Sequence, residues 1–277
     1  MVNSRKTMII AEAGVNHNGN LETAKDLIKI AAMAKADFVK FQTFFADDLS
    51  VKGAEQADYQ KARSPHQDQH SMLKSLQLTL EDYKVLFQCC RDNKINFLST
   101  PFDEGSVDLL EPFVPFYKIP SGELTNYPLI KHIVRKRKPI VLSTGMASWV
   151  ELFDVVQFIN SCFDEINISL NEETEIYGMS MPYFTILHCT TAYPTPYSEV
   201  NLNAMTEIQK KFNVAVGYSD HSMGLEVSLA AVARGARIIE KHFTVDKNQI
   251  GPDHFASLEP MELINLVKMV RNIESSF

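Results

Sequence analysis

The sequence predicts a single (β/α)8 barrel, a TIM barrel, over residues 1–277. Three observations carry that expectation. Short apolar runs alternate with segments of helical period along the whole chain, and eight of each can be counted. Two runs, at 214–221 and 237–242, each close on a histidine, with an amphipathic segment at 224–234 and the stop residue Gly235 between them. That is strand, helix, strand, with His221 and His242 at carboxyl ends, which in such a barrel share the active-site rim. Third, 277 residues at 45% hydrophobic can bury a large core, enough for one barrel or two smaller domains. The unbroken alternation leaves no second domain to place, and argues against a doubly wound sheet, whose site is a single crevice.

Composition narrows the partners. The net charge is −7, without a basic block or interleaved arginines and aromatics, so nucleic acid is not expected. No apolar run approaches the roughly 20 residues of a membrane span. The N-terminus passes through Arg5 and Lys6 into a short strand with no signal-peptide core, so the expectation is a cytoplasmic protein off the membrane. The four cysteines, Cys89, Cys90, Cys162 and Cys189, match neither a disulfide framework nor zinc spacing and read as reduced core thiols.

In chain order, 8–12 is a buried strand ending at Glu12, 13–20 a turn-rich loop and 21–36 a helix. The strand 37–43 puts Lys40 and Gln42 on one face, because alternate residues point the same way. In a barrel that face is the lumen, where a buried lysine needs a negative partner such as an anionic ligand. The polar stretch 44–78 is too long for an ordinary connection and predicts a partly helical lid. Within it His66 and His70 have helical spacing but no zincin glutamate, and carry little weight as ligands.

The rhythm then becomes regular. Helix 79–93 opens on a Thr79 cap, and strand 95–102 ends in hydroxyls. Helix 105–113, strand 116–122, helix 127–137, strand 139–145 and helix 148–163 follow. Residues 164–182 form an acidic excursion before strand 183–189. A proline-rich loop, the helix 202–212 and the closing helix 260–274 complete the count.

The carboxyl ends bring Glu12, Lys40, Gln42, Ser99, Thr100, Lys118, Ser121, Ser143, Thr144, Thr190, Thr191, His221 and His242 to one rim. Two lysines among hydroxyls suit a phosphate or carboxylate, a point charge from each lysine and a donor from each hydroxyl. Any one of the hydroxyls could instead satisfy a backbone group at its strand end. The two imidazoles could hold one divalent metal, with substrate or water completing the shell.

Several segments resemble the catalytic barrel of the sialic acid synthase family, which includes the sialic, legionaminic and pseudaminic acid synthases. They are Ala11-Glu-Ala-Gly-Val-Asn-His-Asn-Gly19, Lys40-Phe-Gln-Thr43, Ser99-Thr-Pro-Phe-Asp103, Lys118-Ile-Pro-Ser-Gly-Glu123, Ser143-Thr-Gly-Met146, His188-Cys-Thr-Thr-Ala-Tyr-Pro194, Gly217-Tyr-Ser-Asp-His221, Glu240-Lys-His-Phe-Thr244 and 251–260. The resemblance implies condensation of phosphoenolpyruvate with an open-chain 2-acetamido sugar such as N-acetylmannosamine, giving a nonulosonic acid and phosphate. It implies a divalent metal on His221 and His242, manganese first, with magnesium or cobalt as alternatives. It implies phosphoenolpyruvate on Lys40, Thr100, Lys118, Ser121, Ser143 and Ser219, and the sugar facing Glu12, Gln42, Glu123, Tyr193 and Asp253. Glu123 is expected either to move a proton or to position the attacking water.

Two departures stand out. Family members commonly have asparagine at Thr191, so a hydroxyl with one donor fewer stands near the phosphoenolpyruvate. They also usually continue into a small antifreeze-like domain that reaches a neighbouring subunit. The last predicted helix ends just before Phe277, so the expectation is a barrel without that domain. The partners would then be a second copy in a homodimer, or an antifreeze-like domain on a separate chain. Condensation with another aldose, or a non-catalytic barrel that binds sugar with a partner chain, remain the alternatives.

Overall fold

The computed structural model describes residues 6–61 and 63–277. Its barrel strands are β1 (Met8–Gly14), β2 (Phe38–Thr43), β3 (Asn96–Pro101), β4 (Tyr117–Ile119), β5 (Ile140–Ser143), β8 (Phe184–His188), β9 (Ala215–Asp220) and β10 (Ile238–His242), with the hairpin β6 (Glu173–Ile176) and β7 (Met179–Pro182) set apart. The hydrogen-bonded order β3-β2-β1-β10-β9-β8-β5-β4 is the cyclic order of a (β/α)8 barrel opened between β3 and β4. All its ladders are parallel. Around it run α1 (Leu21–Met33), α5 (Leu80–Asp92), α6 (Glu104–Leu110), α7 (Tyr127–Arg135), α8 (Trp149–Glu165), α9 (Asn203–Phe212), α10 (Glu226–Ala233) and α11 (Pro260–Glu274). The lid holds the short helices α2 (Ala46–Leu49), α3 (Asp58–Lys61) and α4 (Gln69–Leu76).

Local chemistry sets the boundaries. Thr79 and Asp82 form a capping box at α5, Ser148 and Glu151 one at α8, and each satisfies donors that a helix start leaves free. Gly235, at φ +92°, ends the turn after α10. β4 is shorter than its apolar run, because Pro120 has no N–H to donate and 121–123 winds into a 3-10 turn. The stretch 164–182 is more ordered than an excursion. Tyr177 and Gly178, both at positive φ, turn it into the hairpin, and the Tyr177 ring lies 6.1 Å from Phe38, which meets Phe116 edge-on at 5.2 Å in the barrel. His66 precedes α4, so His66 and His70 do not share a helix face; they bond to Ser75 and Asp47 instead.

Candidate active site

Alternation along each strand decides which side chains reach the lumen. In β2 it turns Lys40 and Gln42 inward, and the ladders set Glu12 beside Lys40 and His242. Gly14 follows a shift in the β1–β2 register, at φ +52°, and a Cβ there would lie 3.3 to 3.4 Å from Glu12, Gln42 and His242. A glycine therefore serves both the backbone twist and the close packing of three site side chains.

An open cavity sits at the carboxyl ends of the strands. Glu12, Lys40, Gln42, Thr100, Lys118, Ser121, Ser143, Thr191, Tyr193, Ser219, His221 and His242 all line it. Ser99, Thr144 and Thr190 of the predicted rim do not, and neither do two residues expected to face the sugar. The carboxylate of Glu123 accepts a hydrogen bond from Asn126 at 2.7 Å on the 3-10 turn, and buried Asp253 stands behind His242, Oδ2 to Nδ1 at 3.9 Å. Sequence reasoning left out Glu240, although it is two residues from His242 on the same strand face. It also put Cys189 in the core, whereas that thiol lines the cavity.

The lysines are 3% and 2% exposed and are bound into a network. Lys40 reaches Glu12 at 2.7 Å, Thr100 at 2.9 Å and Glu240 at 3.6 Å; Lys118 reaches Glu240 at 3.5 Å. Ser219 donates to Glu240 at 2.9 Å. Burial pushes the Glu12 carboxyl up to about 7 despite its pairing with Lys40. Burial acts on Glu240 too, but there Lys118 and Lys40 outweigh it and hold the carboxyl down at about 2. Burial lowers Lys118 from its ordinary value. The buried hydroxyl of Ser143 has no hydrogen-bond partner among the described residues, so the network has a donor to spare.

Burial holds His221 at about 4 and His242 well below the ordinary range, so both rings are neutral. The Thr190 carbonyl lies 2.7 Å from Nδ1 of His221 and takes its proton in a hydrogen bond, leaving Nε2 with the lone pair, where the Tyr193 hydroxyl donates at 3.2 Å. Nδ1 of His242 makes no hydrogen bond among the described residues, and the two ring centres are 5.7 Å apart.

A parallel barrel that gathers two buried cations, a spare hydroxyl and two neutral histidines at its carboxyl rim has the site of an enzyme. The match to known proteins narrows that class: the NeuB family model covers residues 27–277, and the chain belongs to that family, the sialic acid synthase family. It is 48% identical over 274 residues to the N,N'-diacetyllegionaminic acid synthase of Campylobacter jejuni, covering 98% of this chain and 78% of that protein. To the N,N'-diacetyllegionaminic acid synthase of Legionella pneumophila it is 44% identical over 275 residues, 98% of this chain and 73% of that one. The crystal structure of N-acetylneuraminic acid synthetase from Leptospira borgpetersenii in complex with citrate superposes with a TM-score of 0.83 at 30% identity, covering all of this chain and 88% of that one. The protein is an enzyme of the sialic-acid-synthase type.

Proposed function

We propose that the enzyme condenses phosphoenolpyruvate with the open-chain aldehyde of a 2-acetamido sugar, giving a nonulosonic acid and inorganic phosphate. The observation that carries this reading is the pair of buried lysines, Lys40 and Lys118, facing one open cavity among the hydroxyls of Thr100, Ser121, Ser143 and Ser219. Buried ammonium groups need opposing charge. Once Glu12 holds a proton, Glu240 is the anion the two lysines share among the described residues, which leaves room for the phosphate and carboxylate of the substrate.

The histidines fit a divalent ion, manganese by preference with magnesium or cobalt as alternatives. Both are in the neutral, ligating form, and one has its tautomer fixed from behind by a carbonyl. No group of three or more His, Cys, Asp or Glu among the described residues could hold a metal, so substrate and water would complete the shell. When bound, such an ion supplies Lewis-acid polarisation of the aldehyde oxygen.

The chain's own residues hold and orient the reactants. Lys40 with Thr100, and Lys118 with Ser121, Ser143, Ser219 and Thr191, would fix phosphoenolpyruvate so that its methylene carbon faces the aldehyde carbon. A carbon–carbon bond forms there as the aldehyde oxygen takes up a proton, water adds to the former enol carbon and gives up a proton, and the adduct collapses to the keto acid as the carbon–oxygen bond to phosphate breaks. Glu12, Gln42 and Tyr193 would face the sugar, and Asp253, behind His242, would act on it through that ring. Glu123, beside the cavity on the turn that carries Ser121 and Gly122 into its lining, would either accept a proton from the water or position it. The relatives at 48% and 44% identity are named for a diacetylated product, which supports a 2-acetamido hexose with a second acetamido group as acceptor.

Phosphate release from phosphoenolpyruvate, measured with mono- and diacetamido hexoses, tests this. The expected result is aldose-dependent release, with the diacetamido sugar favoured roughly tenfold or more in kcat/KM. Chelation and the substitutions His221→Ala and His242→Ala should each abolish it, and manganese should restore the chelated enzyme. Absence of release with every aldose overturns the reading, and full activity after chelation overturns the metal.

A further inference from the structure

We infer that Cys189 is a positioning residue for the substrate anion, because its thiol leaves the hydroxyl proton of Ser121 free to pass to a bound oxygen. The inference rests on the phosphoenolpyruvate reading above. Ser121 opens the 3-10 turn after β4 and Cys189 follows β8, and the two meet over the end of β5 with Oγ and Sγ 3.2 Å apart. From β5 the backbone N–H of Gly145 donates to Ser121 Oγ at 2.8 Å and occupies one of its lone pairs. A Cβ at Gly145 would stand 2.1 Å from Thr191 Oγ1, 2.9 Å from Ser121 Oγ and 3.1 Å from Cys189 Sγ. Three side chains, all of which line the cavity, thus converge on a residue that has to be glycine.

The Ser121 proton can point to the sulfur of Cys189, its one side-chain partner among the described residues, or into the cavity that both residues line. Sulfur is a weak acceptor, so a proton resting on it is given up to an anionic oxygen with little loss. Burial raises the thiol above its ordinary value, which keeps it neutral rather than a competing thiolate. A hydroxyl at position 189 would change this balance. It is nearly the same shape but a full hydrogen-bond partner, and it would hold the Ser121 proton against the ligand.

The test measures phosphoenolpyruvate binding without acceptor, by calorimetry, on the wild type, Cys189→Ser, Cys189→Ala and both changes combined with Ser121→Ala. Cys189→Ser should bind phosphoenolpyruvate about fivefold more weakly than Cys189→Ala, the equivalent of one hydrogen bond of about 1 kcal/mol. The Michaelis constant for the sugar should move equally in the two. With Ser121→Ala present, the difference between serine and alanine at 189 should vanish, which a merely structural role would not produce. Equal binding by the two single variants, or a difference that persists without Ser121, overturns the inference. A wild type that binds no phosphoenolpyruvate overturns the functional reading itself, and the inference with it.

Discussion

Lys40 and Lys118 face the same cavity, yet their removal should not look alike. Lys118 pairs with Glu240, which keeps Lys40 when Lys118 is lost. Lys118→Ala should therefore raise the Michaelis constant for phosphoenolpyruvate roughly a hundredfold, the loss of a desolvated charge pair, with a smaller effect on the sugar and a near-normal melting temperature. Lys40 stands between Glu12 and Glu240, and its loss leaves buried Glu12 without its ammonium while Glu240 keeps Lys118. Lys40→Ala should show the same kinetic defect and also lose about 3–5 kcal/mol of stability, read by urea denaturation. Equal effects of either change on both substrates would indicate general disruption instead. At this scale the sequence was most legible where alternation alone decides. Lys40, Gln42 and His242 are placed by counting in twos along a strand, and the same count would have found Glu240. What it could not show is that Glu240 and Glu12, alike in type and both buried, are driven in opposite directions. That depends on distances to two lysines from other strands.

Among the elements, the barrel strands and helices were legible because each has a strong apolar period and a cap or stop residue, such as Thr79, Ser148 or Gly235. The hairpin β6–β7 was not. Glu173 and Glu175 are not buried, Ile176 and Met181 are its few buried apolar residues, and its turn rests on Tyr177 and Gly178 at positive φ. The lid was legible as a lid from its length, but what anchors it was hidden. Phe44, Met72 and Leu76 pack with Val15 in a small cluster separate from the barrel core. Within the same stretch Arg63 lies 4.0 Å over the ring of Phe255. A lid with a core of its own can loosen without unfolding the barrel. Met72→Ala removes a buried side chain from that cluster, a change of about 2–5 kcal/mol. It should make 44–78 readily cleaved by a protease while the melting temperature of the barrel falls little. Loss of the main thermal transition would show that lid and barrel fold as one unit.

For the whole molecule, the many histidines buried in neutral form set how it responds to acid. His17, His188, His221, His242 and His254 are all held below the ordinary imidazole range by burial. Two buried carboxyls act the other way: burial holds Glu12 at about 7 and Asp253 at about 6, so the folded state takes their protons first and gains stability as pH falls. His17 isolates the imidazole contribution, because it lies outside the cavity on the loop after β1 and its Nδ1 accepts the Gly19 N–H at 3.0 Å. Burial lowers it to about 4, with Asp82 opposing weakly and His254 adding to the fall. The unfolded chain takes up this proton near 6.5 and the folded chain only near 4, so between those values the unfolded state holds more protons. The stabilising contribution is complete above pH 6.5 and is lost as pH falls toward 4. Between pH 7.5 and 5 that amounts to about 2 kcal/mol. His17→Asn keeps an acceptor for Gly19 but has nothing to protonate, so its stability relative to wild type should improve by about that amount when urea midpoints at pH 5 are compared with those at pH 7.5. Parallel loss of stability in both proteins over this range would mean that His17 is hydrated enough to titrate normally. The acid response would then belong to the other four histidines.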